Sequence, residues 1–188
     1  MSYASAEHDR MIAAMLLPCY VVAVDLAASP PACRVSTGDW TSAWVRWHSV
    51  AAGKARHWRA PSLGEQGALL SPSGQAGMGT FIPGLYGDAG PPPDNRDHVE
   101  VWRFDDGGSL VYDWQAKSYT ITLPSGTVTI SVGGTSAVVT DSAVTVTAGG
   151  IELIGPVSID GTLSVTGDIT GPCFRELISD SAHETFTT

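Results

Sequence analysis

The sequence is short of basic side chains, short of cysteine and, past its middle, short of anything large. Lys and Arg total 10 against 19 Asp and Glu in 188 residues, a formal net charge of −9, with a pI near 4.7. Holding nucleic acid through its phosphates needs a basic face, so this balance argues against that class. No apolar run reaches the roughly 20 residues a transmembrane helix requires. Residues 11–17 are apolar, but Glu7, His8, Asp9 and Arg10 stand where a leader would carry basic residues. Residues 1–18 are therefore expected to form an arm or short helix and not a signal peptide. The three cysteines, Cys19, Cys33 and Cys173, lack regular spacing. That argues against a disulfide framework and fits synthesis in a reducing cytoplasm, with a Cys19–Cys33 link as the minor alternative.

The chain holds six Trp, five Tyr and four Phe, yet only Phe174 and Phe186 lie beyond Tyr119. The large side chains a globular core uses are thus confined to the first two thirds. Charge thins out as well: between Ser118 and Thr170 stand only Asp141, Glu152, Asp160 and Asp168. What remains there is Val, Ile, Leu, Ala, Gly, Thr and Ser in a ladder of short alternating runs. Its apolar pairs are Ile121/Leu123, Val128/Ile130, Ala137/Val139, Val144/Val146, Ile151/Leu153, Val157/Ile159 and Leu163/Val165. The spacing within each pair is that of one face of a strand. A strand with two inward apolar side chains buries too little to offset the entropy of ordering it. Stacked rungs, or rungs wound around sister chains, would bury those pairs continuously. A disordered tail would be less apolar and more charged, so the stretch is read as ordered and β.

The first 97 residues read differently. Met11, Ile12, Met15 and Leu16 recur at helical spacing, and Pro18 is expected to stop that helix. Strands are then expected over 20–26 (Tyr20, Val22, Val24 and Leu26 on one face), at Cys33/Val35, and over 40–48, 67–70 and 79–82, the last closed by Pro83-Gly84. Five short antiparallel strands with turns every 8–12 residues suggest a small Greek-key barrel of the OB type. Residues 90–97, Gly-Pro-Pro-Pro-Asp-Asn-Arg-Asp, form a linker. A strand over 99–104, the turn Asp105-Asp-Gly-Gly108 and a returning strand over 110–114 make a hairpin. The expected organisation is an arm (1–18), an OB-fold collar (19–97), a hairpin or linker (98–119), a β-helical shaft (120–170) and a tip (171–188).

One stretch carries a long, ordered pattern. Trp58-Arg-Ala-Pro61-Ser-Leu-Gly64-Glu65-Gln66 is followed by Ser71-Pro72-Ser-Gly74, then by Gly79-Thr-Phe-Ile-Pro83-Gly84-Leu85-Tyr86. It resembles the OB-domain signature of the phage baseplate assembly protein V family, the central tail spikes of Mu-like contractile tails and R-type pyocins. The resemblance implies an all-β homotrimer: three OB barrels form a collar and three tails wind into a triple-stranded, intertwined β-helix needle. It implies a spike that caps the tail tube, docks on a baseplate hub protein and punctures the target outer membrane, a component of the virion or bacteriocin baseplate. The trimer core would then be Val128, Ile130, Val144, Val146, Ile151, Leu153, Val157, Ile159, Leu163 and Val165. Within the motif, Gly64 and Gly74 suit turns that a Cβ resists, and Pro61 and Pro72 fix turn geometry. Glu65 and Gln66 are placed to cap backbone groups or reach the next barrel.

Family members usually end in a His-x-His pair that presents six imidazoles to one metal ion, commonly iron, on the three-fold axis. This sequence has no His-x-His; His183 with Glu184 is the nearest substitute, and three imidazoles would make a tetrahedral or half-octahedral site. Elsewhere the chemistry is sparse. There is no Gly-x-Ser-x-Gly elbow, no His-Glu-x-x-His and no Cys-x-x-Cys. Glu65 and Glu100 are the only carboxylates worth weighing as a glycosidic pair, and no enzymatic activity is expected. Asp94–Asp97 and Asp105-Asp106 read as solvated turns without the spacing of an EF-hand loop. Trp44, Trp47 and Trp58 with Arg46, Lys54, Arg56 and Arg59 form the one basic-aromatic cluster, suited to a neighbouring chain or a hub protein more than to nucleic acid. The rival readings are a receptor-binding tail fibre and, behind it, an OB-fold nucleic-acid binder.

Overall fold

A computed structural model describes residues 3–167, which divide after Ser125 into two compact units. In the first, helix α1 (Tyr3–Ala13) precedes five strands: β1 (Leu16–Asp25), β2 (Ala32–Ser36), β3 (Arg46–Trp47), β4 (Gln66–Leu70) and β5 (Thr80–Leu85). Sheet order is β2-β1-β4-β5-β3, and the bridge Cys33↔Val45 brings β2 to the start of β3. The strands thus close a circuit, the barrel the turn spacing predicts. One pair departs from expectation: β3 runs parallel to β5, Arg46 opposite Thr80 and Trp47 opposite Phe81. The stretch 40–48 is also no continuous strand. It touches β2 at Thr41 and Val45 and joins β5 only at Arg46–Trp47.

The core is small. Cys19, Val21, Cys33, Val35, Val45, Leu69 and Phe81 are buried together, with Leu17, Val24, Trp47 and Ala76 packed around them. Full burial of side chains of this size is worth roughly 1.5–3 kcal/mol each. In β1 the expected face of Tyr20, Val22, Val24 and Leu26 is broken. Cys19 and Val21 point inward, Val22 is exposed, and Val24 returns to the core. The cause is a bulge between Val21 and Ala23, which moves the inward face from odd to even positions.

Two proline expectations are corrected. The helix ends at Ala13, before Pro18 is reached, because the chain from Leu16 pairs with β4; Pro18 occupies a ladder position opposite Ala68. Likewise β5 does not stop at Pro83. It runs on through Gly84 (φ 94°) to Leu85, with Pro83 opposite Gly67. Tertiary pairing overrides the local stop signal in both places.

Beyond the linker, β6 (Val99–Arg103), β7 (Ser109–Asp113) and β8 (Ser118–Thr122) form an antiparallel meander. The predicted turn at 105–108 is present: Gly108 O accepts from Phe104 N at 2.8 Å, and Gly107 takes φ 87°. Ile121, the first residue of the expected ladder, lies in β8 opposite Leu110. In the second unit β9 (Thr127–Val132), β10 (Thr135–Thr140) and β11 (Val144–Thr147) form another antiparallel meander. From Ala148 to Gly167 no strand forms in the single chain.

Candidate functional site

The registers of β9–β11 sort the second unit into two chemically different faces. Val139 stands opposite both Val128 and Val144, Ala137 opposite both Ile130 and Val146, and Thr135 opposite Val132. The other face is Thr127, Thr129, Ser131, Ser136, Thr140, Thr145 and Thr147, with Val138 as its one apolar member. Four predicted core residues (Val128, Ile130, Val144 and Val146) therefore share one face. In the single chain that face has no cover: Ile130 is 66% exposed and Val144 70%. Farther on, Ile151, Leu153, Val157, Ile159, Leu163 and Val165 are all exposed and carry no strand. A rung with two apolar side chains has nothing within its own chain to pack against, so pairing and burial are both missing there.

The seven motif residues in the barrel each have a structural assignment. Trp58 is largely exposed, its ring centroid 5.7 Å from that of Trp47. Pro61 is buried. Gly64 takes φ 81°, donates its N–H to Val21 O at 2.8 Å and leaves a Cβ only 3.3 Å from Ala89. Gln66 pairs with Tyr20 and Leu85, its side chain against Gly87. Pro72 opens a single 3₁₀ turn that Gly74 (φ 68°) ends; a Cβ on Gly74 would lie 2.5 Å from Met11 O, so this turn seats α1.

Glu65 is the most constrained carboxylate of the barrel. Arg59 donates to both of its oxygens, and Ser62 N donates to Oε2 at 2.9 Å. Burial opposes its ionisation, but the guanidinium and the backbone donor outweigh that and hold its pKa below the usual carboxylate value. It caps backbone, one of its two expected roles. Glu100, the other carboxylate weighed for catalysis, accepts from Trp102 Nε1 at 3.0 Å. In the linker, Arg96 clamps Asp94 at 2.8 Å and reaches Asp113 at 3.3 Å, which holds the Asp94 carboxyl far below the usual range. Of the expected basic-aromatic cluster, Trp47 and Trp58 meet, while Arg59 is committed to Glu65 and Arg56 to Gly53 O, and it is Arg34, outside the cluster, that lies over the Trp44 ring.

Cys19 and Cys33 are free and buried, so the minor disulfide alternative is corrected; desolvation pushes each thiol up to about 11. His183 lies outside the described residues, and among the described residues no group of three His, Cys, Asp or Glu side chains is placed to hold a metal ion.

Sequence reasoning missed one surface. Across β6–β8, Glu100, Tyr112 and Tyr119 stand in one row and Trp102, Leu110 and Ile121 in the next, all on the same face. Tyr112 and Tyr119 rings lie 6.3 Å apart, and His57 approaches Trp102 edge-on at 6.2 Å. The available signal was the parity of the aromatics on either side of the 105–108 turn and the turn at Lys117 (φ 56°).

Comparison with known proteins matches two segments of the chain, the second of which begins within the first compact unit. Residues 17–86 match the family described as the type VI secretion system/phage-baseplate injector OB domain. Residues 100–171 match the Gp138 β-helical trimerization domain. The chain is 33% identical over 133 residues to the spike protein of Escherichia phage P2, covering 70% of this chain and 60% of that relative. It therefore spans less than two thirds of the curated relative's length. The five-stranded barrel coincides with the first matched segment and β9–β11 fall within the second, so the chain joins a phage-baseplate injector OB domain to a β-helical trimerization domain and is similar to a phage spike protein.

Proposed function

We propose that this chain is the homotrimeric piercing spike at the tip of a contractile tail, in a phage or an R-type pyocin, made in the host cytoplasm and assembled into the baseplate. The observation that carries the reading is the bare apolar face of β9–β11 inside the trimerization segment. Three copies that bring Val128, Ile130, Val144 and Val146 to a common axis exclude water from surface one chain leaves wet. The unpaired rungs from Ile151 to Val165 gain both backbone and side-chain partners from sister chains. A shaft without free edges is stiff, and a stiff narrow shaft concentrates the force of contraction on a small area of outer membrane. The barrel serves as the collar that docks on the tube and a hub protein.

The role is mechanical and needs no turnover. A metal ion at the apex, iron among the candidates, belongs to the same reading: three copies of His183 supply three nitrogens, a half-octahedral donor set to which Glu184 can add oxygens. The decisive experiment compares particles assembled with the wild-type chain and with Val146→Asp. Tails carrying the variant should lack tip density, adsorb normally and fail to permeabilise target cells. Full permeabilisation by tails with no tip density would overturn the piercing role.

A further inference from the structure

We infer that the proline-rich segment between the barrel and β6 is a rigid joint and not a hinge, and that Arg96 and the His57–Trp102 pair are the positioning residues that make the barrel and β6–β8 one load-bearing body. This rests on the piercing reading and deepens it by naming what carries thrust from collar to shaft.

The segment is anchored at both ends. Upstream, Gly87 and Gly90 exchange backbone hydrogen bonds at 3.2 and 3.0 Å. This turn lies on the barrel, with Gly87 against the Gln66 side chain and Ala89 beside Gly64. Downstream, Asp94 Oδ1 accepts from the backbone N–H groups of Asn95 and Arg96 at 2.8 and 2.9 Å. The Arg96 guanidinium grips Asp94 through Nε at 3.1 Å and Nη2 at 2.8 Å, and its Nη1 reaches Asp113 at the end of β7 at 3.3 Å. Asp113 is itself fixed, since it accepts from Gln115 N and Ala116 N at 3.0 and 2.8 Å. A lone exposed ion pair stabilises little, but a guanidinium fork joined to a second carboxylate and to backbone donors is the networked arrangement that does hold.

Between the anchors stand Pro91, Pro92 and Pro93. Each ring fixes its own φ, and consecutive prolines act as a semi-rigid spacer. A strut fixed at both ends can still pivot when it is the only connection, but a second connection exists. His57 closes the barrel loop 49–57, where its N–H donates to Ala51 O at 2.9 Å and its carbonyl accepts from Ser49 Oγ at 2.6 Å. Its ring meets that of Trp102 in β6 edge-on, centroids 6.2 Å apart, and Trp102 Nε1 is held by Glu100. Two ties at separate points remove the pivot that one would leave. In keeping with this, the first compact unit does not end at the prolines but runs on through β6–β8 to Ser125. A piercing spike needs such a joint, because a hinge below the collar turns axial thrust into sideways deflection of the shaft.

The test uses the full-length chain and endoproteinase Asp-N, which cuts before aspartate and so addresses Asp94 and Asp97 within the joint. In the wild type, cleavage there should be roughly a hundredfold slower than in a free peptide spanning 88–99, since it follows the population of the opened segment. His57→Ala and Arg96→Ala should each speed it about threefold, and the double variant about thirtyfold, more than the product of the two, because either tie alone holds the joint. The urea midpoint of the barrel should stay unchanged in all three. Tails carrying the double variant should show tip density, adsorb normally and permeabilise far fewer cells. Wild-type cleavage as fast as in the peptide, or a double variant no faster than that product, overturns the joint and leaves the spike reading standing. A barrel midpoint that falls in step with cleavage overturns it too, by assigning both residues to barrel stability. Full permeabilisation by tails with the opened joint overturns its role in carrying thrust. Wild-type tails that carry tip density and do not permeabilise overturn the spike reading itself.

Discussion

Arg59 grips Glu65 with a two-nitrogen fork, Nη1 on Oε2 at 2.8 Å and Nη2 on Oε1, while the same carboxylate accepts the Ser62 backbone N–H. The Glu-Gln step of the barrel motif is thereby tied to the loop before it. Glu65→Gln removes the charge that makes the fork strong and leaves an amide nitrogen facing a donor. Because Arg59 is half exposed, the expected loss is modest, about 1–2 kcal/mol, read as the shift of a urea midpoint for the barrel transition. The wild-type contribution also has a pH signature. A carboxyl whose folded pKa is depressed stabilises above its unfolded value and loses that contribution as pH falls through the folded one. Barrel stability should therefore decline as pH drops below about 4.5, the ordinary value for a glutamate. The difference between wild type and Glu65→Gln should shrink over the same interval. A difference that stays constant down to pH 2 would sink the account.

Gly67→Ala tests the closeness of β4 and β5. A Cβ there would stand 2.2 Å from Ile82 O and 2.5 Å from the Phe81 ring, and neither backbone nor a buried ring can yield cheaply. About 3 kcal/mol of destabilisation is expected. Gly77→Ala, where a Cβ meets nothing within 4 Å, is the control and should cost under about 0.5 kcal/mol. Equal melting temperatures for the two variants would contradict the packing.

The buried thiols should be chemically silent. Cys19 and Cys33 titrate near 11 and are in the core, so a Cys173→Ser variant at pH 8 should react with a thiol reagent only after denaturation. Two equivalents should then appear. Rapid labelling of the native protein, or none after denaturation without a reductant, would show that the free, buried assignment is wrong.

Val146→Asp and Thr145→Asp separate the two faces of β11. Both positions are exposed in one chain, so the single chain predicts equal tolerance. The trimer predicts the opposite: an unpaired charge on the apolar face costs several kcal/mol when covered, while the hydroxyl face stays in water. SDS-resistant trimers should vanish for Val146→Asp and persist for Thr145→Asp. Survival of both would show that the inward face has been misassigned.

Metal content checks the apex. Purified trimer should carry one metal ion per three chains, lost in His183→Ala. Less than a third of that amount in the wild type, unchanged by the substitution, would remove metal from the reading.

Much of this protein was legible before any coordinates. The alternation of Val128/Ile130, Ala137/Val139 and Val144/Val146 determined which residues share a face, because side-chain period in a strand is fixed by the pleat. The loss of aromatics after Tyr119 left the second unit with no large side chain among its described residues, and the turn spacing with the Trp58–Tyr86 motif determined a barrel. Only tertiary structure decided that β3 runs parallel to β5, that the bulge after Val21 flips the inward face, and that Pro18 and Pro83 sit inside strands. Each of these depends on what lies across the ladder, and a neighbour brought from dozens of residues away leaves no local trace. The aromatic face of β6–β8 belongs to the same class. Its residues are visible one by one, but their convergence is set by register through two turns, and register is a property of pairs of strands, not of either one alone.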